Sequence, residues 1–167
     1  LIGTMGPQEF NDLIVDISLF RPGPMQANMV RPYLDARHGW SAPQHLHPDL
    51  TEILAETHGV AVYHEQIMRI MDRMTGCGLG RADVWRRLLG SHGEAAVEAA
   101  FRDAAHGRGY THRTIDTVWE LLHAFGSFGF CKAHAVAFAV PTYQSAWLKT
   151  HHPEAFMAGV WEHDPGM

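Results

Sequence analysis

A chain of 167 residues with 46% apolar and 19% charged residues, five Trp and eight Phe among them, has the composition of one globular domain, or one with a small appendage, and excludes a disordered segment. Its formal net charge of −5 excludes a generic polyanion binder, because nonspecific nucleic-acid affinity comes from many Lys and Arg contacts to phosphate, so any such role must rest on local clusters. No apolar run approaches the roughly 20 residues that span a bilayer, and two cysteines, Cys77 and Cys131, read as reduced thiols and not as a disulfide or zinc framework.

The chain opens without a basic region followed by an apolar core, and reads as soluble and cytoplasmic. Beginning at Leu1 and stopping at Asp164-Pro165-Gly166-Met167, it reads as a piece of a longer chain. Pro7 to Phe20 is predicted as a first helix, with Pro7 suited to the first helical position and Phe10, Leu13, Ile14, Ile17 and Phe20 at steps of three and four. Arg21-Pro22-Gly23-Pro24 ends it in a rigid bend that holds Arg21 in a fixed place. A weaker helical pattern runs from Met25 to Arg37 through Met29, Val30, Tyr33 and Leu34, with Pro32 in its first turn or at a kink. Gly39 to Pro48 is a loop carrying His45-Leu46-His47, two histidines able to chelate a metal if extended but with no third ligand beside them.

Pro48-Asp49-Leu50 opens another helix, with Leu50, Ile53 and Leu54 inward and a glycine stop at His58-Gly59. Val60 to Tyr63 is a short apolar run suited to an extended segment. His64 to Met74 returns to helical spacing through Ile67, Ile70, Met71 and Met74, a methionine-rich stripe that reads as core packing, with Arg69 and Arg73 sharing a face. Gly76-Cys77-Gly78 breaks that helix. Leu79 to Leu89 forms the next, with Leu79, Ala82, Trp85, Leu88 and Leu89 toward the core and Arg86 and Arg87 diverging from that stripe. After a loop from Gly90 to Glu94, an alanine-rich helix from Ala95 to Ala105 ends at Gly107 to Tyr110. Thr111 to Phe125 is the most regular helix, with Ile115, Val118, Trp119, Leu122 and Phe125 on one face and Thr111 or Thr114 as its N-cap.

The last third is organised around Gly126-Ser127-Phe128-Gly129-Phe130-Cys131-Lys132-Ala133-His134, a glycine-punctuated turn that runs into a helix of small and aromatic residues. The first-turn N–H groups of a helix have no intrahelical acceptor and carry partial positive charge, so this start, with Lys132 and His134 on it, favours an anion. Pro141 predicts a kink, Tyr143, Ala146 and Trp147 follow, and His152-Pro153 separates a final helix containing Phe156 and Trp161. The core is expected to join Trp85, Trp119, Phe125, Phe138 and Trp147. The other cationic feature is Arg86-Arg87, whose guanidinium forks match phosphate oxygens in two-point geometry, although adjacent arginines on a helix are also what a solvated face presents.

Gly126 to Met157, together with Phe20-Arg21-Pro22-Gly23-Pro24 and Leu79-Gly80-Arg81-Ala82-Asp83-Val84-Trp85-Arg86-Arg87, resembles the bacterial family C DNA polymerases, the DNA polymerase III α subunit, over nearly the whole chain and in the right order. The resemblance is to the fingers of that family. It implies a mainly α, multi-helix fingers domain with long loops and at most a short extended segment, spanning 1–167 of a longer polymerase, with the first helix and Arg-Pro-Gly-Pro bend in 1–40 and a helical body in 41–167. It implies that Arg86 and Arg87 meet the triphosphate of the incoming nucleotide, that Lys132 and His134 have a nearby phosphate or template-pocket role, and that Arg21 and Arg81 face DNA. The partners implied are deoxynucleoside triphosphates, primed template DNA, and the palm and other domains of the parent chain, with no membrane. No cofactor is implied in the fragment, and Mg2+ is expected in the palm of the parent.

Two departures narrow the resemblance. Where the family's arginine motif commonly continues into a lysine-rich loop, this chain has Leu88-Leu89-Gly90-Ser91-His92, and Cys131 stands where many members have asparagine. With His151-His152-Pro153, these features are more similar to the error-prone, damage-tolerant DNA-repair branch than to the main replicase. No acidic motif resembles the palm aspartates: Asp12 and Asp16 lie one turn apart amid core positions, and Asp72 and Asp83 look isolated, so the fragment is expected to bind at most and not to polymerise. Two other classes remain open, a helical protein-interaction module and a His-rich metal-binding protein, the latter suggested by thirteen histidines but lacking a His-Glu-x-x-His spacing.

Overall fold

Ile67, Ile70, Met71 and Met74 recur at three- and four-residue steps, and the helix that carries them, His64–Thr75, is the one around which the larger core is built. The computed structural model describes residues 2–20, 29–43, 45–125 and 129–163, and among these it contains ten α-helices. They are α1 (Ile2–Met5), α2 (Phe10–Leu19), α3 (Val30–Arg37), α4 (Thr51–Leu54), α5 (His64–Thr75), α6 (Leu79–Leu88), α7 (Glu94–Gly107), α8 (His112–Phe125), α9 (Lys132–His151) and α10 (Pro153–His163). Single 3-10 turns, Pro48–Leu50 and Ala55–Thr57, flank α4. Among the described residues the strand-like pairing is an isolated parallel bridge between Tyr63 and Phe130, so the fold is mainly α with a short extended segment, as the sequence predicts.

The larger core lies where α5 meets α6, α7 and α8, and it buries Trp85, Phe101, Trp119, Leu122 and Phe125 with the α5 stripe. Gly76 ends α5 at φ 69, a left-handed cap whose N–H donates to the Asp72 carbonyl at 2.7 Å, and the chain reverses there into α6. On the other side of α5, a buried amide fixes the extended segment. Gln66 Oε1 accepts the N–H groups of Val62 and Tyr63 at 2.8 and 3.0 Å, and its Nε2 donates to Thr57 Oγ1 at 2.7 Å. Every polar group of that side chain is therefore used inside the core, which is the condition for burying an amide at all.

A second core joins α2, α3 and α9 through Ile14, Val15, Leu19, Tyr33, Tyr63, Ala135 and Ala139. The two alanines let α9 lie close against α2, because a helix face without long side chains admits a short interaxial distance. The N-terminus of α2 is tied to α3 by a buried ion pair. Asp12 Oδ2 accepts the amides of Gln8 and Glu9 at 2.7 and 3.0 Å, while Arg37 binds both carboxylate oxygens and the carbonyls of Met5 and Gly6.

Several expectations are corrected. The first helix starts at Phe10 and not at Pro7, because the Asp12 carboxylate caps the Gln8 and Glu9 amides and fixes the start there. Its buried face is Asp12, Ile14, Val15, Ser18 and Leu19, rotated from the predicted stripe, and Phe10 is exposed against the edge of Tyr143. The second helix is described from Val30; the Arg-Pro-Gly-Pro bend and Met25 to Asn28 lie outside the described residues. In α6, Ala82 and Trp85 are buried along with Leu89 just after it, whereas Leu79 and Leu88 are exposed, since this helix meets its neighbours along one narrow line.

Trp85, Trp119 and Phe125 join the core, but Phe138 and Trp147 are 52% and 44% exposed. The reason is that α9 turns its small face to α2 and buries only Ala135 and Ala139, which leaves its aromatics outside, Phe138 edge-on to His134 and Trp147 stacked on His151 at 4.5 Å. The helix runs unbroken from Lys132 to His151 with Pro141 inside it, and Thr142 Oγ1 donates to the Phe138 carbonyl at 2.8 Å within that turn. His47 Nδ1 accepts the Asp49 amide and caps the Pro48 turn, and its ring meets Tyr110 edge-on at 5.1 Å. No helix among the described residues is long and apolar enough to cross a membrane.

Candidate functional site

Consecutive residues on a helix leave its axis about 100° apart, so Arg86 and Arg87 start on different faces. One carboxylate brings them together. Asp83, one turn earlier on α6, accepts Arg86 Nη2 and Nε at 2.8 and 3.3 Å on Oδ1, and Arg87 Nη2 at 2.6 Å on Oδ2. The Arg86 and Arg87 guanidinium groups hold the Asp83 carboxyl below the usual carboxylate range. The two arginines differ in access, with side-chain exposures of 18% for Arg86 and 70% for Arg87. Asp83, read from the sequence as isolated, is thus the acid that orients both. Its spacing of three and four from the arginines is the signal that identifies it. Asp72 is not isolated either, since its Oδ1 accepts the Gly78 amide at 2.7 Å in the turn before α6.

The start of α9 has the anion-seeking character expected of a helix N-terminus, and a carboxylate of this chain already occupies it. Glu65 on α5 accepts the Lys132 amide on Oε2 at 3.2 Å and the Cys131 thiol on Oε1 at 3.7 Å. The Lys132 ammonium pairs with Glu56 and lies 5.4 Å from the centre of the buried Tyr63 ring. Neither Glu56 nor Glu65 is legible as a partner in the sequence, because each stands more than sixty residues from the group it binds. His134 is exposed, edge-on to Phe130 and Phe138 at 5.5 and 4.7 Å between ring centres.

Both elements act on the first turn of α5. The Lys132 amide is bound by Glu65, and the positive charge of Arg86 acts on the neighbouring residue, His64, whose pKa is lowered first by burial and then by that charge. Arg81 is exposed on α6 with its guanidinium 5.5 Å from the centre of the Trp85 ring, a cation–π distance. Arg21 lies outside the described residues. Among the described residues no three His, Cys, Asp or Glu side chains come together as a set able to hold a metal ion.

With this geometry established, comparison with known proteins places the chain. The family model for the bacterial DNA polymerase III alpha subunit finger domain matches residues 1–108. The chain is 41% identical over 157 residues to the DNA polymerase III subunit alpha of Halalkalibacterium halodurans, covering 92% of this chain and 14% of that protein. It is 38% identical over 157 residues to the DNA polymerase III subunit alpha of Campylobacter jejuni, covering 92% of this chain and 13% of that protein. It is also 35% identical over 164 residues to the error-prone DNA polymerase of Symbiobacterium thermophilum, covering 95% of this chain and 15% of that protein. The chain therefore spans between 13% and 15% of the length of these relatives. Matched by that family model over more than half its length and by these relatives at 35–41% identity, the chain belongs to the bacterial DNA polymerase III alpha subunit finger domain family.

Proposed function

We propose that this chain is the fingers portion of a bacterial replicative or error-prone DNA polymerase α subunit, where it binds the incoming deoxynucleoside triphosphate and the primed template. The observation that carries this reading is the grip of Asp83 on both Arg86 and Arg87, in a chain of the finger-domain family. One carboxylate sets the spacing of two guanidinium forks and leaves their remaining N–H donors for phosphate oxygens, the two-point recognition at which arginine excels. Lys132, at the start of α9, is assigned a nearby phosphate or template-pocket role, for which its ammonium would exchange Glu56 for the ligand, and His134 stands two residues further along the same turn. Arg21 and Arg81 are assigned to the DNA backbone.

Phosphoryl transfer itself belongs to the palm of the parent chain, where Mg2+ would neutralise the attacking and leaving oxygens. The fragment contributes binding and orientation, and alone it is expected not to extend a primer. The other partners are the palm and further domains of the same chain, and the setting is the cytoplasm. Cys131 and His151-His152-Pro153 favour the error-prone branch, while relatives of both names match at similar identity, 38% for each of two.

The test is Arg86→Ala and Arg87→Ala in the full-length polymerase, scored as nucleotide incorporation efficiency beside thermal stability. Losing one charge-assisted contact of about 1.5–3 kcal/mol is expected to lower incorporation roughly ten- to a hundredfold. Unchanged incorporation removes the nucleotide role, and a matching collapse of stability assigns the arginines to structure.

A protein-interaction module is the second reading, and one observation favours it: α10 buries no residue, and Trp161 on it is exposed together with Trp147 on α9. Tryptophan fluorescence that does not respond to nucleotide or primed template would support that reading over the first.

A further inference from the structure

We infer that His64 is the positioning residue that joins the arginine helix to the start of α9, its imidazole filling the space that Gly129 leaves and so setting where Lys132 stands relative to Arg86. The inference rests on the nucleotide-binding reading above and assigns it a residue outside the phosphate contacts.

The geometry is tight on every side of this ring. A Cβ placed on Gly129 would lie 2.4 and 2.5 Å from Cδ2 and Nε2 of His64 and 2.2 Å from Cε1 of Phe125, distances that real side chains do not adopt. Glycine is therefore required there by close approach, and the group that approaches is the imidazole, which also meets Phe125 edge-on at 5.9 Å. The backbone repeats the connection. His64 N–H donates to the Phe130 carbonyl at 2.9 Å, inside the Tyr63–Phe130 bridge, and Gly129 N–H donates to the Phe125 carbonyl at 3.1 Å. The next residue, Glu65, holds the Lys132 amide at 3.2 Å, so consecutive residues of α5 grip consecutive parts of the turn and of α9.

The charged groups that act on this ring are Arg86 and Asp83 from α6 and Glu65 from its own helix, with the Gly129 backbone as hydrogen-bond partner. Burial and the Arg86 charge lower the imidazole pKa, against the weaker pull of Glu65, the Gly129 backbone hydrogen bond and Asp83. Protonation would add a second positive charge within reach of the Arg86 charge, on a ring that Gly129 and Phe125 already crowd. The neutral ring is a strut, and protonation adds repulsion from Arg86 that strains its link to the arginine helix.

The sign of the pH effect follows. A histidine whose folded pKa lies below 6.5 is charged more readily in the displaced state, so the arrangement is intact near neutral pH and is lost as pH falls from 6.5 through the lowered value.

The experiment uses the full-length polymerase and measures nucleotide KM and kcat between about pH 5 and pH 8, the range over which histidine changes charge. Wild type is expected to lose nucleotide affinity on the acid side, and His64→Gln, neutral throughout, is expected to lose that limb, so that its efficiency relative to wild type rises as pH falls. Gly129→Ala is expected to lower efficiency by about a hundredfold, the scale of a 1 Å misplacement, while Gly159→Ala, with open space around it, leaves efficiency unchanged. An acid limb identical in wild type and His64→Gln overturns the inference, whatever Gly129→Ala does. Arg86→Ala measured alongside separates the two readings. If it lowers incorporation while His64→Gln keeps the wild-type profile, the nucleotide site stands and the positioning role falls; if Arg86→Ala is silent, the site itself falls.

Discussion

Arg37 on α3 grips Asp12 on α2 through two parallel hydrogen bonds of 2.5 and 2.7 Å, and the pair is nearly closed to solvent, with side-chain exposures of 14% and 3%. Removing one partner of such a pair strands the other charge inside the protein. Arg37→Leu is therefore expected to destabilise the fold by about 3–5 kcal/mol in denaturant unfolding, several times the effect of Arg87→Ala on its exposed partner. Burial by itself pushes the Asp12 carboxyl up, but the Gln8 and Glu9 amides and Arg37 outweigh it and hold the group below its ordinary value of 3.8. A depressed carboxyl contributes stability above that value and loses it as pH falls through the folded pKa, so Arg37→Leu should also flatten the acid limb of the stability curve.

Asp16, one turn further along α2, is in the opposite position. One of its carboxylate oxygens is buried with no hydrogen-bond partner, and burial raises its pKa above 3.8. An acid with a raised folded pKa weakens the fold as pH rises past the unfolded value. Asp16→Asn is expected to raise the thermal midpoint at neutral pH, with the gain vanishing below about pH 4, near the carboxyl's ordinary pKa. A lower midpoint at neutral pH would mean that the Asp16 charge has a compensating partner in the folded protein.

Gln66 holds the extended segment by accepting two amides and donating to Thr57. Gln66→Leu keeps the volume but leaves the Val62 and Tyr63 N–H groups buried without acceptors, at about 1–3 kcal/mol for each stranded group. Chemical denaturation should register the loss. Hydrogen exchange at Val62 and Tyr63 should quicken more than exchange in α7, since the bonds removed are theirs.

Asp83→Ala frees both guanidinium groups without removing either charge. If Asp83 sets their spacing for phosphate, incorporation efficiency in the full-length polymerase should fall, though by less than in Arg86→Ala, and the loss should appear mainly in nucleotide KM. An increase in efficiency would instead identify Asp83 as a competitor for the two arginines.

Much of the helical framework follows from local spacing alone. The stripes Ile67-Ile70-Met71-Met74 and Ile115-Val118-Trp119-Leu122-Phe125 are buried as their periodicity requires, and the turns at His58-Gly59 and Gly76 need residues that accept a left-handed backbone. The cationic residues Arg86, Arg87 and Lys132 are legible for the same reason, since helix spacing and a glycine-preceded helix start are local patterns. What those cations touch is not local. Glu56 and Glu65 reach Lys132 from far along the chain, and Arg37 reaches Asp12 across two helices. The side of α9 that is buried was likewise decided by its neighbour: α2 packs on Ala135 and Ala139, so Phe138 and Trp147 stay outside although they are the larger hydrophobes. Sequence periodicity sets which residues share a face, but which face is covered, and which charge meets which, depends on contacts between distant segments that only the packed chain brings together.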